Sequence, residues 1–433
     1  MSRLEVRLFD RRCGEVAIDD GGQRAPEDWS FRYDPQYLDA DEAPVALSVS
    51  LPLRAQAHEG AVARNWFCNL LPEGSIRDAV VQRLRIGGND DFALLGAIGG
   101  ECAGAVSVGA SVAPVPQDED DDLETLLYLA GDGAADGMWA MLGIPHRLSL
   151  AGAQDKIAVV DDGGRLRLPA TGEISTHILK PDSTVYPGLR DLEALGLRLA
   201  RAIGLNVAQS ALTEVAGRPA LLLERYDRAS APDGRMTRLH QEDFCQALGY
   251  PAELKYQQHG GPGLAQCAQL VRAPRLSLGP AAVQGLLEWV IYCTIIGNAD
   301  AHAKNLALLC DPLGRRSLAP FYDLVPTIAF HERNVDRTPA LRIGHAARID
   351  AVGEQDWRAF AAETGYAPRY VLDAVRGSAT AVLRALPGVI EQLVAEGANA
   401  RFLRDQAAPA IAANAERLRN LPGTAQDRRP VAP

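Results

Sequence analysis

Gly297-Asn298-Ala299-Asp300-Ala301-His302-Ala303-Lys304-Asn305 is the stretch on which the reading of this chain turns. It follows the apolar run Leu286 to Ile296, which predicts a buried helix, so its polar groups fall in a loop at the helix end. Asp300 and Asn305 stand five residues apart and pair a carboxylate with an amide. Downstream, Leu318-Ala319-Pro320-Phe321-Tyr322-Asp323-Leu324 places a lone carboxylate after an apolar strand. Taken singly, an Asp and an Asn in a loop usually cap a helix or stabilise a turn. Taken together with Asp323 they form a set of oxygen donors suited to Mg²⁺ and to steering a hydroxyl.

The segments upstream supply what a nucleotide would need. His146 to Val159 reads strand, tight turn, strand, and the small residues Ala151, Gly152 and Ala153 let backbone N–H groups approach phosphate oxygens. The Walker A spacing is absent, and an isolated segment of this kind is more often an ordinary hairpin. Thr176-His177-Ile178-Leu179-Lys180-Pro181 is a strand ending in a lysine, with Glu193 at the start of the next helix as its partner. Most lysines in such places are merely solvated. Leu221 to Arg228 ends a buried strand with Glu224, Arg225 and Tyr226, where backbone groups are placed for adenine, although surface ion pairs are the commoner fate of such an end. The Asp300–Asn305 separation equals that of a protein-kinase catalytic loop, and Asp323 falls where a kinase has its second magnesium ligand. His302, inside the same segment, is in reach of nucleotide, while the other histidines lack metal spacing and read as structural.

Further out, the pattern divides the chain. Leu4, Val6 and Leu8, and again Leu47, Val49 and Leu51, alternate with polar residues and predict half-buried strands; a helix is expected from an N-cap at Ser75 to Leu84. Residues 1–110 thus form an α+β unit, and 111–122, with Pro114, Pro116 and the acidic run Asp118 to Asp122, form a linker. Residues 123–245 form a mixed lobe, with a helical face at Leu192, Leu195, Leu199 and Ile203 and strands at Ala208–Val215 and Ala220–Glu224. Residues 246–433 are mostly helical, apart from a β-like stretch over Asn305–Tyr322. Two lobes imply a ligand cleft at their junction.

Composition narrows the class. At 433 residues and 47% hydrophobic content, several cores can be buried. A net charge of −11 opposes direct residence on bare nucleic acid. Seven cysteines, an odd number without CxxC spacing, read as reduced thiols of a cytosolic protein. The start at Met1 shows no signal-peptide pattern, and no apolar run is long enough for a membrane, so a cytoplasmic protein is expected.

These residues resemble the HipA family of kinase toxins from bacterial toxin–antitoxin operons. The resemblance is carried by Phe67-Cys68-Asn69-Leu70-Leu71-Pro72-Glu73-Gly74, Asp91–Leu95, Ser149–Lys156, His177–Pro181, Glu224–Arg228, Gln241–Gly249, Gly297–Asn305 and Tyr322-Asp323, in order over nearly the whole chain. It implies an α+β, two-lobed kinase-like fold with an extra N-terminal subdomain and a mostly helical C-terminal lobe. It implies ATP and Mg²⁺ as cofactors, Asp300 as catalytic base, and Asn305 and Asp323 as magnesium ligands. Gly152, Ala153, Gln154, Asp155 and Lys156 become the phosphate loop, Lys180 a phosphate contact, and Glu224–Tyr226 the adenine hinge. His302, Lys304 and Tyr322 fall among the ATP-binding positions. Ser149 aligns with a self-phosphorylated serine whose added charge would silence the enzyme. The implied substrate is an aminoacyl-tRNA synthetase, glutamyl-tRNA synthetase in the type case. The implied partner is a small helix-turn-helix antitoxin (HipB-like), through which alone operator DNA is met.

Asp155 stands where the type member has Glu, and Pro181 to Asp191 has its own sequence, which leaves the substrate open. Two other readings compete. A small-molecule or lipid phosphotransferase would use the same cleft, but the His-Gly-Asp segment usual there is absent. A non-catalytic co-repressor acting with an antitoxin would have no need of Lys180, Asp300, Asn305 and Asp323 together.

Overall fold

The computed structural model describes residues 1–19, 25–40, 42–109, 150–151, 154–170, 172–231 and 233–422. Ser149, Gly152, Ala153 and the expected linker 111–122 lie outside them.

The N-terminal unit is an antiparallel sheet, ordered β4-β3-β2-β1-β5, of β1 (Ser2–Leu8), β2 (Arg11–Ile18), β3 (Trp29–Tyr33), β4 (His58–Glu59) and β5 (Val106–Val108). Alternation along β1 and β2 sends Val6, Leu8, Val16 and Ile18 into a core shared with Trp66, Phe67, Leu94 and Leu95. Those last residues come from helices α1 (Ala61–Cys68) and α3 (Asp91–Ile98), which the sequence reading had not separated from their surroundings. Between them, α2 (Gly74–Leu84) begins one residue before the expected N-cap, with Glu73 as its actual N-cap.

The strand expected at Leu47–Leu51 is absent. Leu47 and Leu51 are fully buried as the alternation implied, but the backbone is not paired in a ladder. Side chains take the ladder's place: Leu47 N–H donates to Tyr33 Oη (2.8 Å), Val49 N–H to Glu242 Oε1 (3.0 Å) and Ser50 N–H to Ser48 Oγ (3.0 Å). The alternation is only partly kept in burial, since Ser48 is buried at 1% exposure against Glu242 while Val49 is half-buried.

The small lobe is a second antiparallel sheet, ordered β7-β6-β8-β10-β9, from β6 (Ile157–Asp162), β7 (Arg165–Arg167), β8 (His177–Pro181), β9 (Ser210–Val215) and β10 (Arg218–Glu224). Helix α4 (Leu189–Ala202) buries Leu192, Leu195 and Leu199, the predicted apolar face, and ends at Ile203. A hairpin, β11 (Arg228–Ser230) and β12 (Met236–Arg238), leads to the sheet β13-β14-β15, made of β13 (His240–Asp243), β14 (Ala307–Cys310) and β15 (Arg316–Leu318).

The large lobe packs α5 (Leu264–Val271), α6 (Gly279–Ile295), α7 (Glu354–Thr364), α8 (Pro368–Ala395) and α9 (Ala408–Arg419) around one extended core. Helix α6 is apolar on most sides because it is buried between α5, α8, α9 and β15. It delivers the Gly297–Asn305 loop to the lobe junction. Gly297 takes φ +66°, and a Cβ there would lie 2.4 Å from Ile328 Cβ, so the turn out of α6 requires glycine.

Candidate active site

The lobe junction encloses a cavity of about 980 Å³. Its walls bring together Gln154, Asp155, Lys156, Lys180, Glu224, Arg225, Tyr226, Asp300, His302, Lys304, Asn305, Tyr322 and Asp323, all from distant parts of the chain.

Lys180 is the next-to-last residue of β8 and is 5% exposed. Its Nζ donates to Glu193 Oε1 and Oε2 (2.8 and 3.0 Å) and to Asp323 Oδ1 (2.5 Å). Burial alone would lower the Lys180 ammonium, but the Asp323 and Glu193 carboxylates carry it above the ordinary lysine range. Asp323, which burial would raise, is instead held well below the usual carboxylate range by Lys180 and Lys156. Lys156 is pushed down to about 8 by burial and by the positive charge of Lys180. Glu193 is fully buried, and burial raises its carboxyl.

The approach of α4 to Asp323 depends on Gly196, where a Cβ would lie 1.7 Å from the Leu324 carbonyl oxygen. The Gly196 carbonyl accepts from Tyr292 Oη of α6 (2.6 Å), which ties the Glu193 helix to the helix that delivers the loop. Asp323 itself has φ +51°, an uncommon backbone state for a non-glycine residue.

Asp300 is exposed to the cleft, and Tyr256 Oη donates to its Oδ1 (2.8 Å). Poor hydration there raises its carboxyl above the ordinary Asp value, against the lowering effect of Tyr256 and Lys255. Asn305 Nδ2 donates to the Asp300 carbonyl (3.1 Å), leaving Oδ1 as the end of the amide able to coordinate a cation. His302 is 6% exposed, stands edge-on to Tyr256, and is pushed down to about 3 by burial and then by Lys255. It is therefore neutral, and its Nδ1 has no hydrogen-bond partner among the described residues.

The hinge differs from its sequence reading in detail. Glu224 N–H donates to Gln209 O (3.0 Å) and Arg225 N–H to Thr176 O (2.9 Å), so two hinge donors serve the surrounding backbone. The Arg225 guanidinium is 1% exposed and pairs with Asp227 (2.8 Å) and Glu101 (3.3 Å), joining the small lobe to the N-terminal unit. Tyr226 and Tyr322 stack at 5.5 Å between centroids, and Tyr226 Oη donates to Gln241 Oε1.

Lys304 is directed elsewhere than a nucleotide. Its Nζ donates to Asn69 Oδ1 (2.6 Å), Asn69 O (3.3 Å) and Asp243 Oδ2 (2.9 Å). An ammonium has three donors, and this one meets three acceptors. Sequence reading missed Asn69, Glu73, Tyr256 and Lys255 as lining or supporting residues; Asn69 and Glu73 were visible only as parts of the Phe67–Gly74 motif.

A two-lobed, kinase-like α+β fold with a lysine–glutamate–aspartate cluster at its cleft is the class these observations define. The chain belongs to the HipA family: the HipA N-terminal domain matches residues 4–109 and the HipA-like C-terminal domain matches residues 148–386. It is 39% identical over 406 residues, 88% of this chain and 91% of the relative, to Y4mE of Sinorhizobium fredii, which is named as a candidate kinase. It is 32% identical over 337 residues, 74% of each chain, to the serine/threonine-protein kinase toxin HipA of Shewanella oneidensis. A solved Shewanella oneidensis HipA, in complex with HipB and its operator DNA, superposes with a TM-score of 0.77 at 24% identity, over 97% of this chain and 100% of that one. No helix among the described residues is long and apolar enough to cross a membrane.

Proposed function

We propose that this chain is an ATP-dependent protein serine/threonine kinase that arrests growth. The observation that carries the reading is the contact of Lys180 with both Glu193 and Asp323 at the cavity where Asp300 and Asn305 also stand. Membership of a kinase-toxin family supports it.

The residues suit Mg²⁺ with ATP. Asn305 Oδ1 and the ionised Asp323 are hard oxygen donors, and Mg²⁺ commonly takes one or two protein oxygens together with phosphates. When bound, ATP supplies the phosphoryl group and the metal neutralises its charge. Lys180, held cationic by its two carboxylates, binds phosphate oxygens, and Lys156 adds positive charge beside it. Asp300 accepts from Tyr256 at Oδ1, which fixes its orientation and leaves Oδ2 to receive the proton of an incoming serine or threonine hydroxyl. The raised Asp300 carboxyl makes it a better proton acceptor than an ordinary aspartate. Gln154 and Asp155, with Gly152 and Ala153, form the phosphate loop, and neutral His302 offers nitrogen rather than charge to the nucleotide. Tyr226, with Glu224 and Arg225, lines the side of the cleft assigned to the base.

In this reading the protein works in the cytoplasm, is silenced by phosphate on Ser149, and acts on an aminoacyl-tRNA synthetase. Its partner is a HipB-like helix-turn-helix antitoxin, a proposal supported by the complex of the Shewanella neighbour with HipB and operator DNA; the −11 net charge of this chain favours DNA contact through that antitoxin.

The test is Asp300→Asn in the full chain. Calorimetry should show Mg-ATP binding retained, while phosphoryl transfer and growth arrest on induction without antitoxin are lost. A variant as toxic as the wild type would sink the kinase reading.

A further inference from the structure

The N-terminal unit reaches the catalytic loop at two points. At the first, Asn69 at the end of α1 is 1% exposed and offers both its carbonyl and its side-chain oxygen to Lys304 Nζ. The Asn69 amide nitrogen is itself fixed, donating to Asn65 O (2.8 Å) and to Tyr250 O of the large lobe (2.8 Å). Lys304 therefore stands clamped between the N-terminal unit and Asp243, whose other oxygen accepts Gln246 N–H (2.8 Å). Lys304 immediately precedes Asn305, and its carbonyl accepts from Tyr322 Oη (2.6 Å), the neighbour of Asp323.

At the second point, Glu73 Oε2 accepts from Lys255 Nζ (2.8 Å). Lys255 also lies over the Tyr256 ring (5.5 Å), and Tyr256 Oη donates to Asp300. Glu73 Oε1 is buried with no hydrogen-bond partner among the described residues, 3.9 Å from Lys304 Nζ, so one carboxylate faces both lysines.

We infer that Asn69 and Glu73 are positioning residues for phosphoryl transfer: through Lys304 and Lys255 they set Asn305, Tyr322 and Asp300, and the N-terminal unit is thereby part of the catalytic apparatus. The physical reason is the geometry that transfer demands, in which misplacement of about 1 Å costs roughly 10²-fold. The first half of the loop is pinned from outside, Gly297 O accepting Ile328 N–H (3.0 Å) and Ala299 O accepting Ala340 N–H (2.9 Å), whereas the backbone bonds within its second half, His302 N–H to Asp300 O and Asn305 N–H to His302 O, are local. An ammonium with three fixed acceptors ties that second half, next to Asn305, to the N-terminal unit and to Asp243. Asn69 and Glu73 touch neither the reacting hydroxyl nor the phosphates in this scheme, so they act through other residues.

The inference rests on the proposed kinase reading, and one experiment separates the two. Steady-state ATP turnover with Mg²⁺ is measured on the full chain as wild type, Asp300→Asn, Asn69→Ala, Glu73→Gln, Lys255→Met and the Glu73→Gln/Lys255→Met pair, with thermal melting followed for each. The expected result is a fall in kcat of about tenfold or more in Asn69→Ala and Glu73→Gln, with the KM for ATP changed less than about threefold. The paired variant should lose no more than the worse single one, because both break the same path. Wild-type kcat in Glu73→Gln, or additive losses in the pair, would overturn the Glu73 path. Loss in Asn69→Ala that disappears at a temperature well below its melting point would reduce Asn69 to a fold-stabilising residue and overturn its role. Absence of turnover in the wild type, or full turnover in Asp300→Asn, would remove the kinase reading and the positioning role with it.

Discussion

Lys180 and Lys304 are two buried lysines in one cleft, exposed 5% and 7%, and they have opposite tasks. Lys180 lies between Glu193 and Asp323, and Asp323 keeps a side chain 33% exposed toward the cavity. Lys304 lies between Asn69 and Asp243, and its carboxylate partner is only 8% exposed. Both ammoniums meet three acceptors, but in the first Asp323 faces the cavity and can give way to a phosphate oxygen. The second closes on itself across the seam between the N-terminal unit and the large lobe. Burial and charge are alike in the two, and the orientation of their partners makes the difference.

Replacing each lysine by methionine should divide these tasks. Lys304→Met leaves Asp243 and Asn69 buried without their cation, and breaking a buried pair of this kind costs about 3–5 kcal/mol. Urea denaturation should show this loss, and a stability equal to wild type would show that the seam does not depend on the clamp. Lys180→Met should act mainly on rate, lowering phosphoryl transfer by about 10²–10³-fold through lost charge stabilisation. Its effect on stability should be smaller than that of Lys304→Met, because Asp323 can turn to solvent and Glu193, already raised by burial, can take up a proton. Equal losses of stability in the two variants would break the contrast.

The seam also carries a pH dependence that the cleft lysines do not explain. On β13, His240 Nε2–H donates to Leu47 O (2.8 Å), and the ring is pushed down to about 4, chiefly by burial. Two residues on, Glu242 receives Ser48 Oγ and is pushed up to about 7 by burial. A histidine lowered on folding contributes stability that is lost as pH falls from about 6.5 toward 4. A glutamate raised on folding contributes stability that is lost as pH rises from about 4.5 toward 7. The two slopes oppose each other between about pH 4.5 and 6.5. Glu242→Gln removes one of them, so the stability of wild type relative to the variant should fall by on the order of 2–3 kcal/mol from pH 4.5 to 7. A pH-independent difference in denaturation free energy would show that Glu242 is not titrating in the seam.

On the cleft side, Gly196→Ala is the sharpest small perturbation. The added methyl meets the Leu324 carbonyl, and overpacking of this kind costs about 1–3 kcal/mol. It should also lower turnover by parting Glu193 from Lys180. Unchanged turnover with reduced stability would show that the cluster tolerates a shift of α4.

Much of the cleft was legible because its residues are near neighbours of strong local signals. Lys180 is next to last in a strand and Glu193 lies in the first turns of the next helix, so their pairing follows from strand, turn and helix in sequence order. The Asp300–Asn305 loop was legible because α6 is apolar enough to identify its own end. Lys304 was assigned with its neighbours to the nucleotide, and its partner Asn69 is 235 residues away. No local pattern indicates such a pairing. The Leu47–Leu51 segment failed for a related reason: Leu47 and Leu51 are buried, but so is Ser48, and the segment's backbone partners, Tyr33 and Glu242, come from elsewhere in the chain.

The sequence by itself determined the apolar face of α4, the all-round apolar character of α6 and the loop that follows it, since these follow from periodicity and spacing along the chain. Only the tertiary structure decided that Asn69 and Glu73 belong beside the Gly297–Asn305 loop, that Arg225 pairs with Glu101, and that one buried lysine has a carboxylate partner facing the cleft while the other's partner is shut in. These are choices among acceptors distant in sequence. A buried ammonium must satisfy three donors wherever the fold supplies oxygen, so its partners are fixed by packing across the lobes.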